Sequence, residues 1–156
     1  MNVEKNHIDG FINILQALNE EDVDYILIGG VAMNIHGFAR FTGDIDFFVR
    51  LLPENIRKLR KTLHRLFDDD AIEEITFDEL DNYPVIRYGT PGGIYIDIMA
   101  RLGEAVTFDD LEFEIVVYND VKIKVATPAT LYRLKKDTHR QKDELDLLFL
   151  KDLLKK

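Results

Sequence analysis

The sequence predicts an α/β (α+β) fold, a mixed β-sheet flanked by helices, on three features. Apolar residues at helical spacing alternate along the chain with short runs rich in Val, Ile, Tyr and Phe. Two of those runs are followed closely by another across Gly, Pro, Asn or Asp, the pattern of a hairpin. One run ends in Gly29-Gly30 and passes directly into a helical pattern. Hairpins require antiparallel pairing, while strands separated by helices favour parallel pairing, so the sheet should be mixed.

Residues 7–20 place Ile8, Phe11, Ile12, Leu15 and Leu18 on one helical face. "VDYILIGG" reads as a short buried strand ended by glycines, and "VAMNIHG" as a short helix closed by Gly37. "FARFTG" is a loop and "DIDFFVR" a strand. "PENIRKLRKTLHRLF" is a helix with Pro53 in its first turn. The acidic stretch 68–81 reads as a loop or a poorly ordered connection with some strand or helix. "YPVIRYG", "TPGG" and "IYIDIMA" give strand, turn and strand. "FEIVVYNDVKIKVA" is a second hairpin with Asn119-Asp120 at its tip. "TPATLYRLKK" starts a helix at Thr127 and Pro128. The last helix carries Leu145, Leu148, Phe149 and Leu153 on one face. Residues 1–156 are expected to form one domain, with a core over about 22–126 and C-terminal helices over about 127–156.

Composition narrows the function. The formal net charge is -9, which argues against general DNA or RNA binding, because phosphate neutralisation needs clustered Lys and Arg. Charge alternates in blocks: basic over 56–66, acidic over 68–81, basic again over 131–142. Solvated faces explain each block taken alone. There is no cysteine, which excludes disulfides and thiolate metal sites and fits a reducing cytoplasm. No apolar run is long enough to span a membrane, and the N-terminus has no signal-peptide core. The expected location is the cytoplasm.

The chemistry is carried by acids placed where acids are rare. Asp is depleted in strands, yet "DIDFFVR" holds two, Asp44 and Asp46. Strand alternation puts Asp44, Asp46 and Phe48 on one face and Ile45, Phe47 and Val49 on the other. The two acids are then about 7 Å apart at Cα, and like charges that close raise each other's pKa. A divalent cation relieves this, and oxygen ligands select Mg²⁺ or Mn²⁺. Asp97 is a third acid in a strand that otherwise reads as core. If the strands are neighbours, three carboxylates converge and can hold two ions for in-line displacement at phosphorus. For Asp97 alone, a place on a half-exposed polar face is the plainer reading. Gly29 and Gly30, opening a helix, allow close approach of backbone N–H groups to phosphate, or simply make a tight turn.

Gly29-Gly30, the later Asp44-Ile45-Asp46 and the strand acid Asp97 resemble the polymerase-β-like nucleotidyltransferase superfamily. "LIGGVAMNIHGFARFTGDIDFFV" is similar to its small prokaryotic branch, related to antibiotic and toxin–antitoxin nucleotidyltransferases. The tail "TPATLYRLKKDTHRQKDELDLLFL" resembles that branch too. The resemblance implies a nucleotidyltransferase fold and the transfer of an NMP from an NTP, ATP by expectation, to an acceptor hydroxyl. Asp44 and Asp46 would hold two Mg²⁺ or Mn²⁺ ions, with Asp97 completing the catalytic site, and pyrophosphate would leave. The acceptor is a small molecule, a protein side chain or an RNA end, and a partner subunit or second copy could complete its site. Many relatives carry Ser after the glycines; this chain has Val31. That departure keeps open a second function, a weak or inactive nucleotidyltransferase-fold partner in a toxin–antitoxin or regulatory complex.

Arg40 and Thr42 precede the acids and could touch phosphate or a metal-bound water, or be a loop charge and a strand-start Thr. His36 reads as structural at a helix end. Lys135, Lys136, Arg140 and Lys142 could add positive charge beside the phosphates, though each alone reads as solvated. Asp143 and Asp146 match family tail residues and read as helix-surface partners.

Overall fold

The structure is a computed structural model that describes residues 3–39, 41–102, 106–137 and 144–155. Arg40, Arg140, Lys142 and Asp143 lie outside the described residues. The chain runs α1 (Val3–Glu20), β1 (Tyr25–Ile28), α2 (Gly29–Ile35), β2 (Asp44–Val49), α3 (Pro53–Phe67), α4 (Phe77–Asn82), β3 (Ile86–Gly89) and β4 (Tyr95–Met99). It continues through β5 (Arg101–Leu102), β6 (Val106–Thr107), β7 (Phe113–Tyr118), β8 (Val121–Ala126), α5 (Pro128–Asp137) and α6 (Glu144–Leu154).

Six strands form one sheet in the order β3-β4-β2-β1-β8-β7. β2 and β4 run parallel, as do β1 and β8, and the other neighbours are antiparallel. The mixed sheet is therefore as the sequence predicts. The β7–β8 turn is Asn119-Asp120, both at positive φ, which matches the right-handed twist of a two-residue hairpin. α1 packs on β8 and on α3. It buries Leu15 and Leu18, and α3 buries Ile56, Leu59 and Leu63 into the same core as Ile45, Phe47 and Val49. Tyr25 and Phe47 meet edge to face at 5.7 Å.

Two expectations change. The acidic stretch is ordered: a 3₁₀ turn over Asp70–Glu74 leads into α4. Asp69 accepts from Ala71 N–H and Thr76 from Glu79 N–H, so the polar residues act as caps. Ile72, Ile75 and Leu80 anchor the segment in the core. The basic block of α3 makes surface ion pairs with the end of α1: Arg65 meets Glu20 and Glu21, and Lys61 meets Glu21.

The C-terminal helix is turned relative to its expected face. Leu145 and Leu148 are exposed, while Asp146 and Leu150 are fully buried. Phe149 stacks on Phe38 with centroids 4.8 Å apart. Leucines lie on more than one side of α6, so hydrophobicity alone does not choose its rotation. On the buried side Asp146 Oδ2 is 3.0 Å from Lys135 Nζ on α5. Asp146 is thus an interior partner of Lys135, which corrects the surface pairing expected of it.

Candidate active site

The register of the sheet assembles the acids. Asp46 on β2 lies beside Asp97 on β4, and Asp97 lies beside Arg87 on β3. On its other side Asp46 faces Ile28, the last residue of β1. Asp44 is one pleat repeat along β2, on the same face. The flanking residues Ile45, Phe47, Ile96 and Ile98 are buried on the opposite face. Alternation between an apolar and an acidic face therefore holds in both strands, and it aims all three carboxylates one way.

The glycines form the adjoining wall. Gly29 follows Ile28 at φ +72 and begins α2. A Cβ placed on it would meet Asp46 Oδ2 at 2.0 Å, so the backbone passes directly over the carboxylate. Only glycine meets both demands, the positive φ and the missing side chain. Helix α2 starts at Gly29, two residues earlier than its apolar pattern suggests. Val31 is buried in the core. No side-chain hydroxyl follows the glycines, and any phosphate contact here is left to backbone N–H groups.

A cleft of about 550 Å³ opens over these groups. Its polar lining includes Thr42, Asp44, Asp46, Arg87, Asp97 and Lys135. Val85, Met99, Leu102, Leu131 and Leu134 supply an apolar side.

Arg87 is the principal group the sequence reading missed. Its Nε donates to Asp97 Oδ1 at 2.8 Å, and its Nη2 to Asp97 Oδ2 and Asp44 Oδ2, both at 3.0 Å. The hydrogen bond to Asp97 raises the guanidinium pKa above its ordinary value. A signal was available. "YPVIRYG" alternates Ile86, Arg87, Tyr88, and counting back through the "TPGG" turn brings Arg87 near Asp97. The sequence marks Lys135 only as one of several basic residues, but its side chain is largely buried at the cleft.

Asp46 is the strained member. Burial pushes its carboxyl up to about 7, helped by the charge of Asp97, a hydrogen bond with Asp97 and the charge of Asp44; Lys135 opposes the rise. A carboxylate buried among like charges binds a cation or a proton readily. The donor set is oxygen only, which suits Mg²⁺ or Mn²⁺. In the arrangement described, Asp44 and Asp97 turn to Arg87, and no group of three acids or imidazoles among the described residues is closed around a metal position.

The remaining predicted residues are peripheral. Thr42 lines the cleft and donates to Asn34 Oδ1 at 3.1 Å rather than to a carboxylate. His36 Nε2 lies 2.8 Å from Ala126 O, and its Nδ1 is 3.6 Å from Glu114. It ties α2 to β8 and β7, consistent with a structural role. Lys136 is exposed.

Carboxylates on β2 and β4 beside a glycine turn are the arrangement the resemblance implies. A family profile described as nucleotidyl transferase AbiEii toxin, type IV toxin–antitoxin system, matches residues 13–142, most of the chain. The chain belongs to the AbiEii nucleotidyltransferase family. The matched region takes in both glycines, all three carboxylates, Arg87 and Lys135. No curated protein matches the sequence. Solved structures support the fold of this AbiEii-family nucleotidyltransferase. An antigenic nucleotidyltransferase-like protein from Paracoccidioides brasiliensis superposes with a TM-score of 0.65 at 16% identity, over 96% of this chain and 78% of the other. The lincosamide antibiotic adenylyltransferase LnuA, lincomycin-bound, gives 0.62 at 16% identity, over 97% and 98%. ANT(2")-Ia in complex with adenylyl-2"-tobramycin gives 0.53 at 13% identity, over 93% and 87%.

Proposed function

We propose that this AbiEii-family chain moves an NMP from an NTP, ATP by first expectation, to an acceptor hydroxyl, with pyrophosphate leaving, at a site for two Mg²⁺ or Mn²⁺ ions held by Asp44, Asp46 and Asp97. The observation that carries the reading is the convergence of three carboxylates from parallel neighbours β2 and β4 under the Gly29 backbone. Bound divalent ions would neutralise the triphosphate and stabilise charge at the α-phosphorus during in-line attack.

The chain's own groups do the rest. Gly29 brings backbone close to Asp46 and Gly30 lines the same cleft, where their N–H groups can hold phosphate oxygens. Lys135 puts a cation at the cleft wall, and Arg40 and Thr42, which precede Asp44 in the sequence, are the candidates for further phosphate contacts. Asp97, beside Asp46, accepts the proton of the acceptor hydroxyl. The apolar side of the cleft supports a base or an acceptor ring. Two similar structures are described with lincomycin and with an adenylylated tobramycin, which supports a small hydroxyl-bearing molecule as one acceptor class. The family's toxin–antitoxin description supports a protein or RNA hydroxyl, reached with a partner subunit or second copy. Buried Val31 favours the second reading, a fold-retaining partner with little turnover.

Calorimetric titration of ATP, GTP, CTP and UTP with Mg²⁺ and with EDTA separates the two. Wild type is expected to bind one or more nucleotides only with metal, and Asp46→Asn to lose that binding. Transfer from α-³²P-labelled nucleotide, sorted by product size, then identifies the acceptor class. If no nucleotide binds with metal, the silent-partner reading replaces the enzyme.

A further inference from the structure

Arg87, Asp97 and Asp46 form one rung across β3, β4 and β2. The guanidinium grips Asp97 with two N–H groups and reaches Asp44 with one of them. One positive charge therefore spans two carboxylates that a divalent ion would otherwise share. Its plane is backed by the Tyr95 ring, with Cζ 4.9 Å from the centroid. The side chain is nonetheless 53% exposed and lines the cleft, so it can leave the acids without crossing the core. Phosphate offers a guanidinium the same two-pronged acceptor geometry as carboxylate.

We propose that Arg87 is the resident counter-ion of the carboxylate cluster. It holds Asp44 and Asp97 together in the metal-free protein, competes with a divalent cation for them, and passes to a nucleotide phosphate when metal and nucleotide bind. The inference rests on Asp44, Asp46 and Asp97 being metal ligands, and gives Arg87 two alternating partners within that site, carboxylate and phosphate. Metal alone must displace the guanidinium and leave it without an anionic partner. Metal with nucleotide gives it a new one. Each ligand therefore strengthens the other's binding, and this coupling is reciprocal.

The test uses the full chain and binding, not turnover. Mn²⁺ is titrated by calorimetry, alone and with α,β-methylene-ATP, into wild type, Arg87→Gln, Arg87→Lys and Asp46→Asn. Arg87→Gln is expected to bind Mn²⁺ alone about tenfold more tightly than wild type, within the usual span of site coupling. Its gain in Mn²⁺ affinity from the nucleotide analogue is expected to be smaller than that of wild type. Arg87→Lys keeps the charge but loses the two-pronged grip, and should fall between them. If Arg87→Gln does not fold, tighter Mn²⁺ binding by Arg87→Lys still supports the competition. Mn²⁺ binding that needs Asp46 but is equal or weaker in the folded Arg87 variants would overturn the counter-ion role and leave the metal site standing. No Mn²⁺ binding by any form would overturn both.

Discussion

Asp46 concentrates the electrostatic strain of this molecule. Burial is the largest contribution, and the neighbouring carboxylates add to it, so the folded carboxyl is pushed up to about 7 from the ordinary 3.8 of a free carboxyl. Below about pH 4 both folded and unfolded chains hold the proton, and the group contributes no difference. Between about 4 and 7 the unfolded chain releases it while the folded chain keeps it. Stability is therefore lost as pH rises through that window, by up to about 1.4 kcal/mol per pH unit from this residue. Urea denaturation in EDTA should show Asp46→Asn gaining stability over wild type at pH 7.5 and little at pH 4. An equal difference at both pH values would count against a strained Asp46. Arg87 belongs at this scale too. The oddity of Asp44 and Asp46 was visible in the sequence, and a cation was the expected remedy. The first remedy the fold supplies is a guanidinium from the same chain. The sequence could show the charge on Arg87 but not its pairing, because that depends on a register outside its own strand.

The junction of β1 and α2 is the element on which the site depends most. Gly29 lets the chain turn from strand to helix at positive φ while passing against Asp46. Gly29→Ala combines backbone strain with a Cβ placed on a carboxylate oxygen. It should cost more than about 1 kcal/mol in chemical denaturation. Gly37→Ala provides the contrast, since it has a positive φ but open space for a Cβ. If both variants lose the same stability, the close approach to Asp46 is not a constraint. Elements of this kind were largely legible. Alternation in β2 and β4 assigned the acidic faces, Pro53 marked the start of α3, and Asn119-Asp120 marked the tip of β7–β8. The acidic connection was less legible. Its caps depend on where Asp69 and Thr76 fall relative to short helices, and its anchors Ile72, Ile75 and Leu80 are too sparse to reveal a period.

For the whole molecule, the Lys135–Asp146 pair joins the C-terminal helices to the cleft. Asp146 is fully buried, and Lys135 is nearly so while lining the cleft beside the acids. Removing one partner of a buried pair costs the other charge its closest contact where little water replaces it, so Asp146→Ala should cost about 3 kcal/mol by urea denaturation. Exposed Asp152→Ala should stay within about 0.5 kcal/mol. A loss under about 1 kcal/mol at Asp146 would mean that the pair does not hold α6. The sequence by itself determined the mixed α+β class, the acidic faces of β2 and β4 and the glycine turn, because strand alternation and turn chemistry are local properties. Only the tertiary structure decided that Arg87 would bridge Asp44 and Asp97, that Gly29 would lie on Asp46, and which side of α6 would be buried. Those outcomes depend on strand order, register and helix docking, which bring together residues distant in sequence.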